Sequence, residues 1–238
     1  MNSSDKFTEY FDQIKKIWEK LDTSNLIIPF CTPMKLNPKF LVIGINHSDF
    51  CRNNLVESKR IAEDFSKRIP LENTFIKHDH TFAKGLREVI SKVHDTHNDF
   101  DEKPTDEWLG TNRIAIQTDG KGAGAIEALD NYSECQKDMD KVLKSLISYM
   151  KPKNIILAGN EACENFFYPE SSSHTMANRQ PKKILIDKNT KATSNIIPVW
   201  HLSHNWRTSP GDPECYGDKT VKRIKQAIED GLCELKKS

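Results

Sequence analysis

Hydrophobic residues in the first part of the chain recur at steps of three and four positions. The residues are Phe7, Tyr10, Phe11, Ile14, Ile17, Trp18 and Leu21. This period predicts a helix with one buried face. The same spacing predicts helices within 82–93, 139–150 and 221–235, and Pro152 ends the second of these three.

Continuous apolar runs between these helices predict buried strands. The runs are 40–43, a stretch within 108–117, 154–158 and 196–200, and a short helix through Cys163 and Phe167 is expected after the third. Strands that alternate with helices indicate a mainly parallel sheet with helices on both faces. We therefore predict an α/β fold, a three-layer α/β/α sandwich around a four-stranded, mainly parallel sheet, with residues 1–238 in a single domain.

In sheets of this kind, ligands bind outside the carboxyl ends of the strands. That rule selects two loops as the candidate site, residues 44–50 after the first strand and residues 201–207 after the last. A basic stretch at 179–191 is more typical of a solvated hairpin than of a phosphate-binding track.

Composition restricts the function only loosely. The net charge of +1 and the isoelectric point near 7.6 give no general basic signal, so any DNA contact would come from local patches. The six cysteines form no Cys-x-x-Cys pair, so we expect neither a disulfide framework nor a metal site. The chain has no apolar stretch suited to a signal peptide or a membrane span, and we expect a cytoplasmic protein without a membrane partner.

Both candidate loops resemble motifs of one enzyme superfamily. The sequence Gly44-Ile45-Asn46-His47-Ser48-Asp49-Phe50 resembles the first motif of the uracil-DNA glycosylase superfamily, in the Gly-x-Asn-Pro-Gly form of its mismatch-specific and single-strand-selective branches. His201-Leu202-Ser203 is similar to the second motif, His-Pro-Ser, and 151–159 resembles the signature of the third strand. The resemblance covers the order and spacing of elements across nearly the whole chain.

The resemblance implies a uracil-DNA glycosylase-like fold and a monofunctional DNA glycosylase. Such an enzyme hydrolyses the N-glycosidic bond of uracil or a modified pyrimidine in DNA and leaves an abasic site, in base-excision repair or in defence against phage with modified DNA. The implied partner is DNA with a flipped-out pyrimidine. We expect no cofactor and a monomeric protein.

The resemblance also assigns roles to individual residues. Asn46 would hold the attacking water, although its amide cannot act as a general base. His201 would donate a hydrogen bond to the pyrimidine oxygen as negative charge builds there. The base would be stacked by Phe50 and lined by Gly44, Ile45 and His47. The DNA strand would be held by Ser48, Ser203, His204, Asn205, Trp206 and Arg207, with Trp206 as the wedge that enters the duplex.

Two residues compete for the task of reading the base edge. Asn112 resembles the family's Asn at the second strand, whereas Gln117 would stand at the end of that strand if 114–117 formed it. The sequence leaves this choice open.

Several residues depart from the family pattern. His47 replaces the Pro of the first motif, Ser48 replaces its second Gly, and Leu202 replaces the Pro of the second motif. The acidic general base of the most active branch is missing from the first motif, because Asp49 stands three positions late. The four-cysteine iron-sulfur pattern is also missing. We therefore expect modest turnover or a substrate other than plain uracil, and no strand cleavage, since neither loop has a lysine nucleophile.

Other functions are compatible with the same fold. A non-catalytic module could use the two loops to bind a nucleotide or DNA, and a small-molecule hydrolase could use the same sheet edge. The pairs His78/His80 and His94/His97 are more typical of solvent-facing histidines than of metal ligands. The glycines at 120, 122 and 124 lack the spacing of a nucleotide-binding loop.

Overall fold

A computed structural model provides the fold of the chain. It describes residues 3–21, 23, 25–47, 55–78, 80–94, 107–117, 124–163, 166–168, 176–208 and 211–230. The side chains at positions 46, 47, 55, 124 and 125 lie outside this description.

A mainly parallel sheet forms the centre of the molecule. Its strands are β1 (Phe40–His47), β2 (Trp108–Gln117), β3 (Asn154–Ala158), β4 (Lys182–Asp187) and β5 (Ala192–Val199). They lie in the order β2-β1-β3-β5-β4, with β1 parallel to β2 and β3, and β3 parallel to β5. Only β4 runs antiparallel to its neighbour. The predicted α/β class and the mainly parallel sheet are confirmed, but the predicted count of four strands is wrong.

The additional strand is β4, which forms a hairpin with β5 at one edge of the sheet. Its sequence begins with Lys182 and Lys183, and Leu185 is 54% exposed, so no buried apolar run marks it. Charged residues are common on edge strands because they discourage pairing with other chains. The basic stretch at 179–191 is therefore a hairpin, as expected, but one that belongs to the sheet.

The helices lie between the strands in the predicted order. They are α1 (Ser3–Trp18), α2 (Leu55–Phe65), α3 (Thr74–Lys77), α4 (Thr81–His94), α5 (Gly124–Glu127), α6 (Tyr132–Met150), α7 (Asn160–Cys163) and α8 (Tyr216–Glu229). The four helices predicted from apolar spacing correspond to α1, α4, α6 and α8, and the short helix after β3 is α7. The sequence did not predict α2, α3 or α5.

Two hydrophobic cores cover the two faces of the sheet. Leu41 and Ile43 of β1 point into a core shared with α1 and α6. Phe40 and Val42 point to the opposite face, into a core shared with α4 and α8. This alternation is the pattern of a strand that is buried on both sides. The arrangement is compatible with a three-layer α/β/α sandwich.

The outer edge of β2 is covered by residues 26–32 of the chain. The backbone N–H of Ile28 donates to the carbonyl of Ala115 at 2.6 Å, and the hydroxyl of Thr111 donates to the carbonyl of Pro29 at 2.9 Å. These bonds satisfy polar backbone groups that an open edge would expose. They also bring Cys31 next to the middle of β2.

The helices of the described segments show no membrane-spanning character. Among these residues, no helix combines the length and the apolar content needed to cross a bilayer.

Candidate active site

Three parallel strands direct their carboxyl ends to one edge of the sheet. Gly44 near the end of β1 lies opposite Asn112 of β2, Gly159 directly follows β3, and His201 follows β5 by two positions. The described parts of both predicted loops therefore lie at the same edge. This edge is where ligands bind in open α/β sheets.

Gly159 lies between the two loops. A Cβ at this position would stand 3.1 Å from Cδ1 of Ile45 and 3.3 Å from Cδ2 of His201. The backbone of Gly159 has a φ of +103°, which L-residues with side chains rarely adopt. A glycine at the end of β3 therefore allows the first and last strands to bring their side chains close together.

His201 has a defined tautomer. The backbone N–H of Ser203 donates to Nδ1 of His201 at 3.3 Å, where the imidazole caps a short 3-10 turn at Leu202–His204. Because Nδ1 accepts this bond, a neutral ring carries its proton on Nε2. Burial, with a smaller contribution from the nearby His204, lowers the pKa of His201 to about 4. At neutral pH the ring is thus an uncharged donor through Nε2.

Phe82 lies beside His201, in the first turn of α4. The two rings are 5.7 Å apart between centroids and meet edge to face at 69°. On its other side Phe82 approaches β1, where its Cζ is 3.7 Å from the point that a Cβ of residue 44 would occupy. The ring is only half-buried, so one part of it remains accessible at the site.

Phe82 was not predicted as a site residue, because its apolar spacing marks it as part of the buried face of the helix. The order of strands and helices along the chain could have indicated its place at the site. A helix that crosses between two parallel strands starts on the side where the preceding strands end, so its first turn lies near the ligand-binding edge. An aromatic residue in that turn is a candidate wall of the site.

Asn112 lies beside Gly44, on the neighbouring strand β2. Its side chain is 7% exposed, and Oδ1 lies where a Cβ on residue 44 would stand, so any residue but glycine at 44 would collide with it. The amide Nδ2 donates to Sγ of Cys31 at 3.7 Å, a long and weak bond typical of sulfur acceptors. The Asn112 amide and the Phe82 ring therefore both pack against Gly44.

Gln117 occupies a different place. It pairs with His47 at the end of β2, beyond a register shift, and its backbone N–H donates to the carbonyl of Leu26. Asn112 and Phe82 both approach Gly44, whereas Gln117 stands beside His47 at the end of β2. Of the two candidates, Asn112 is the one that lies beside Gly44, and the base-reading role stays a prediction.

The residues after His201 divide into buried and exposed ones. Asn205 is buried, its Nδ2 donates to the carbonyl of Gly85 at 2.9 Å, and its own carbonyl accepts from Gly217. It joins the turn to α4 and α8, and its assigned DNA contact stays a prediction. Ser203 and His204 are half-buried. By contrast, Trp206 is 72% exposed, with the guanidinium of Arg207 5.2 Å from its ring centroid.

Part of the first loop cannot be placed in this cluster. Ser48 and Phe50 lie outside the described residues, and of Asn46 and His47 only the backbone, as the end of β1, belongs to them. Their assigned roles stay predictions.

Glu161 is a carboxylate that the sequence analysis did not single out. Its Oε2 lies 3.6 Å from the point that a Cβ on residue 159 would occupy. Ile45 and His201 approach the same point. The two predicted loops follow the first and last strands, whereas Glu161 follows the third. Within the described segments, no three His, Cys, Asp or Glu side chains are grouped as a metal would require.

Comparisons with known proteins do not identify a family for the chain. No family model matches the sequence, and no curated protein is significantly similar to it.

Proposed function

We propose that the protein is a monofunctional DNA glycosylase of the uracil-DNA glycosylase type, acting on a pyrimidine that is flipped out of the DNA. One observation carries the proposal. A neutral imidazole with its proton on Nε2 lies at the ligand-binding edge of the sheet, against the aromatic ring of Phe82, which also approaches Gly44.

This histidine suits the chemistry of base release. When the N-glycosidic bond breaks, its electron pair moves to the pyrimidine, and negative charge develops on the ring oxygen. A neutral N–H donor at that oxygen stabilises the charge, because the bond strengthens as the charge grows and the donor needs no reorganisation. The bond from Ser203 holds the His201 ring in the tautomer that makes Nε2 the donor.

Phe82 and Asn112 suit the recognition of the base. The phenyl ring of Phe82 meets the His201 ring and approaches Gly44, and a pyrimidine is of similar breadth. A pyrimidine packed on this ring can direct one edge to the Asn112 amide and an oxygen to His201. Stacking supplies affinity for any base, whereas the amide supplies the choice between bases. We propose Phe82 for the stacking role that the sequence gives to Phe50.

Trp206 and Arg207 suit the contact with the DNA strand. An exposed aromatic side chain next to the site can enter the stack and fill the gap left by the flipped nucleotide. The adjacent guanidinium can pair with a phosphate. We propose base-excision repair or defence against phage with modified DNA as the setting of this activity, with a modified pyrimidine as the substrate.

The test is a panel of single- and double-stranded oligonucleotides, each with one uracil or one modified pyrimidine. After incubation with the protein, alkali cleaves the DNA wherever an abasic site has formed. We expect cleavage at the modified position of at least one oligonucleotide, and none without alkali. DNA binding without any abasic site would instead favour the non-catalytic module, and release of bases from free nucleosides alone would favour a small-molecule hydrolase.

A further inference from the structure

The proposed reaction lacks a group that takes a proton from the attacking water. The first motif offers Asn46, whose amide can orient a water but cannot accept its proton. General-base catalysis contributes roughly 10²- to 10⁴-fold to such reactions. A carboxylate at the same sheet edge would supply it.

Glu161 is the described carboxylate in that place. A Cβ placed on Gly159 would stand 3.6 Å from Oε2 of Glu161 and 3.3 Å from Cδ2 of His201. Ile45, which approaches the same point from 3.1 Å, directly precedes Asn46 in the chain. Glu161 therefore approaches the same place as the residue proposed to steady the leaving base and the strand end that bears Asn46.

The backbone of Glu161 is firmly held. Nη1 of Arg113 donates to the carbonyl of Glu161 at 2.7 Å. Arg113 is 7% exposed and makes a two-pronged ion pair with Asp140 of α6, with bonds of 2.9 and 2.8 Å. A group built on a fixed backbone keeps its position relative to the reacting atoms. The side chain of Glu161, by contrast, is exposed and accessible to water.

The carboxylate of Glu161 forms no ion pair with Arg113, which holds its backbone and is itself paired with Asp140. Among the residues that the structure describes, none forms an ion pair with Glu161. An unpaired carboxylate keeps its negative charge available for a substrate, and glycosidic bond cleavage builds positive charge on the sugar in an oxocarbenium-like transition state. Negative charge at this edge favours that transition state.

We propose that Glu161 is the general base of the reaction, an assignment that rests on the proposed glycosylase function. The carboxylate accepts one proton from the water, and the water oxygen forms the bond to C1′ of the deoxyribose. The C1′–N bond breaks, and its electron pair leaves with the pyrimidine, whose anion His201 steadies. The proton that Glu161 took from the water then passes to the pyrimidine anion, so the products are the neutral base and an abasic site.

The first experiment compares single-turnover base release by wild type, Glu161→Gln and Glu161→Asp on the oligonucleotide that wild type cleaves best. We expect Glu161→Gln to release the base at least about 100-fold more slowly at unchanged DNA affinity, and Glu161→Asp to be intermediate. The matched control is Glu19→Gln, an exposed glutamate just beyond α1, which should equal wild type.

The second experiment uses Glu161→Ala with added formate. A small carboxylate that enters the vacated space should restore part of the rate in a concentration-dependent manner, which a merely structural role would not allow. Thermal unfolding of each variant shows whether it is folded. Glu161→Gln within about twofold of wild type, or no response to formate, would overturn the assignment while leaving the glycosylase function intact. If wild type releases no base from any DNA, the proposed function fails first, and the role of Glu161 fails with it.

Discussion

The backbone N–H of Ser203 donates to Nδ1 of His201, and this one bond fixes where the imidazole carries its proton. The sequence between the two residues is a single leucine, Leu202, which is buried against α4 and α8 and anchors the turn. A histidine placed directly after a buried strand and capped by its own loop is thus held as a neutral donor.

The lowered pKa of His201 has a consequence for stability. Its pKa is about 4 in the folded protein and near 6.5 in an unfolded chain, so between these values the unfolded chain binds a proton that the folded protein does not. The free energy of unfolding should therefore fall as the pH drops from about 6.5 to about 4, by up to about 3 kcal/mol from this residue. Urea unfolding of wild type and His201→Asn at pH 7 and pH 4.5 measures the effect.

The asparagine variant is suited to this comparison because its side-chain oxygen can still accept the Ser203 N–H. We expect His201→Asn to lose less stability on acidification than wild type. An identical loss in both proteins would show that His201 is not held neutral in the folded state.

The close approach of Asn112 to Gly44 predicts a coupling between the two positions. Gly44→Ala should destabilise the protein by about 1–3 kcal/mol, because the added methyl group collides with the Asn112 amide. In an Asn112→Ala background the same change should cost less, since the colliding atoms are gone. Urea unfolding of the four proteins gives the coupling, and strictly additive costs would contradict the contact.

Much of the fold could be predicted from the sequence because burial on both faces leaves a continuous apolar run. The run at 154–158 coincides with β3, and the periodic residues of α1, α4, α6 and α8 mark their buried faces. The edge strand β4 has one face in solvent and carries lysines, so its pattern is that of a loop. The short α3 is defined by a cap, Asn73, whose side chain accepts the N–H of Phe75, rather than by apolar spacing.

The candidate site could be predicted only where chain order determines position. His201 follows a strand directly, so its place at the sheet edge could be inferred. Asn112 could not be separated from Gln117, because the choice depends on which side chain faces Gly44 across two strands. Phe82 and Glu161 lie in α4 and α7, far in sequence from both motifs. They reach the site only because these helices pack against the sheet, so the motifs do not predict them.

Replacement of Phe82 should weaken the recognition of the base. We expect Phe82→Ala to lower kcat/KM by about 5- to 150-fold, since base–aromatic stacking contributes about 1–3 kcal/mol per base. Phe82→Tyr should retain most of the activity. Phe167→Ala, which removes another half-buried ring that packs against Phe166, is the matched control. Equal losses in both alanine variants would indicate a general effect on stability instead of base stacking.

Trp206 should matter for duplex DNA more than for single strands. A wedge compensates for the unstacking of base pairs, and a single strand requires no such compensation. Steady-state kinetics of Trp206→Ala on matched double- and single-stranded substrates should show a loss on the duplex and little change on the single strand. Because the side chain is 72% exposed, thermal stability should be unchanged. A similar loss on both substrates would argue against the wedge.

The most direct test of the proposed function is single-turnover base release by wild type and His201→Asn, with the free base identified by mass spectrometry. Wild type should release an intact pyrimidine and leave an abasic site. His201→Asn should bind the same DNA and release the base about 100- to 1,000-fold more slowly, the range seen when one donor to a developing anion is removed. Equal rates in the two proteins, or no free base from wild type on any DNA, would contradict the account.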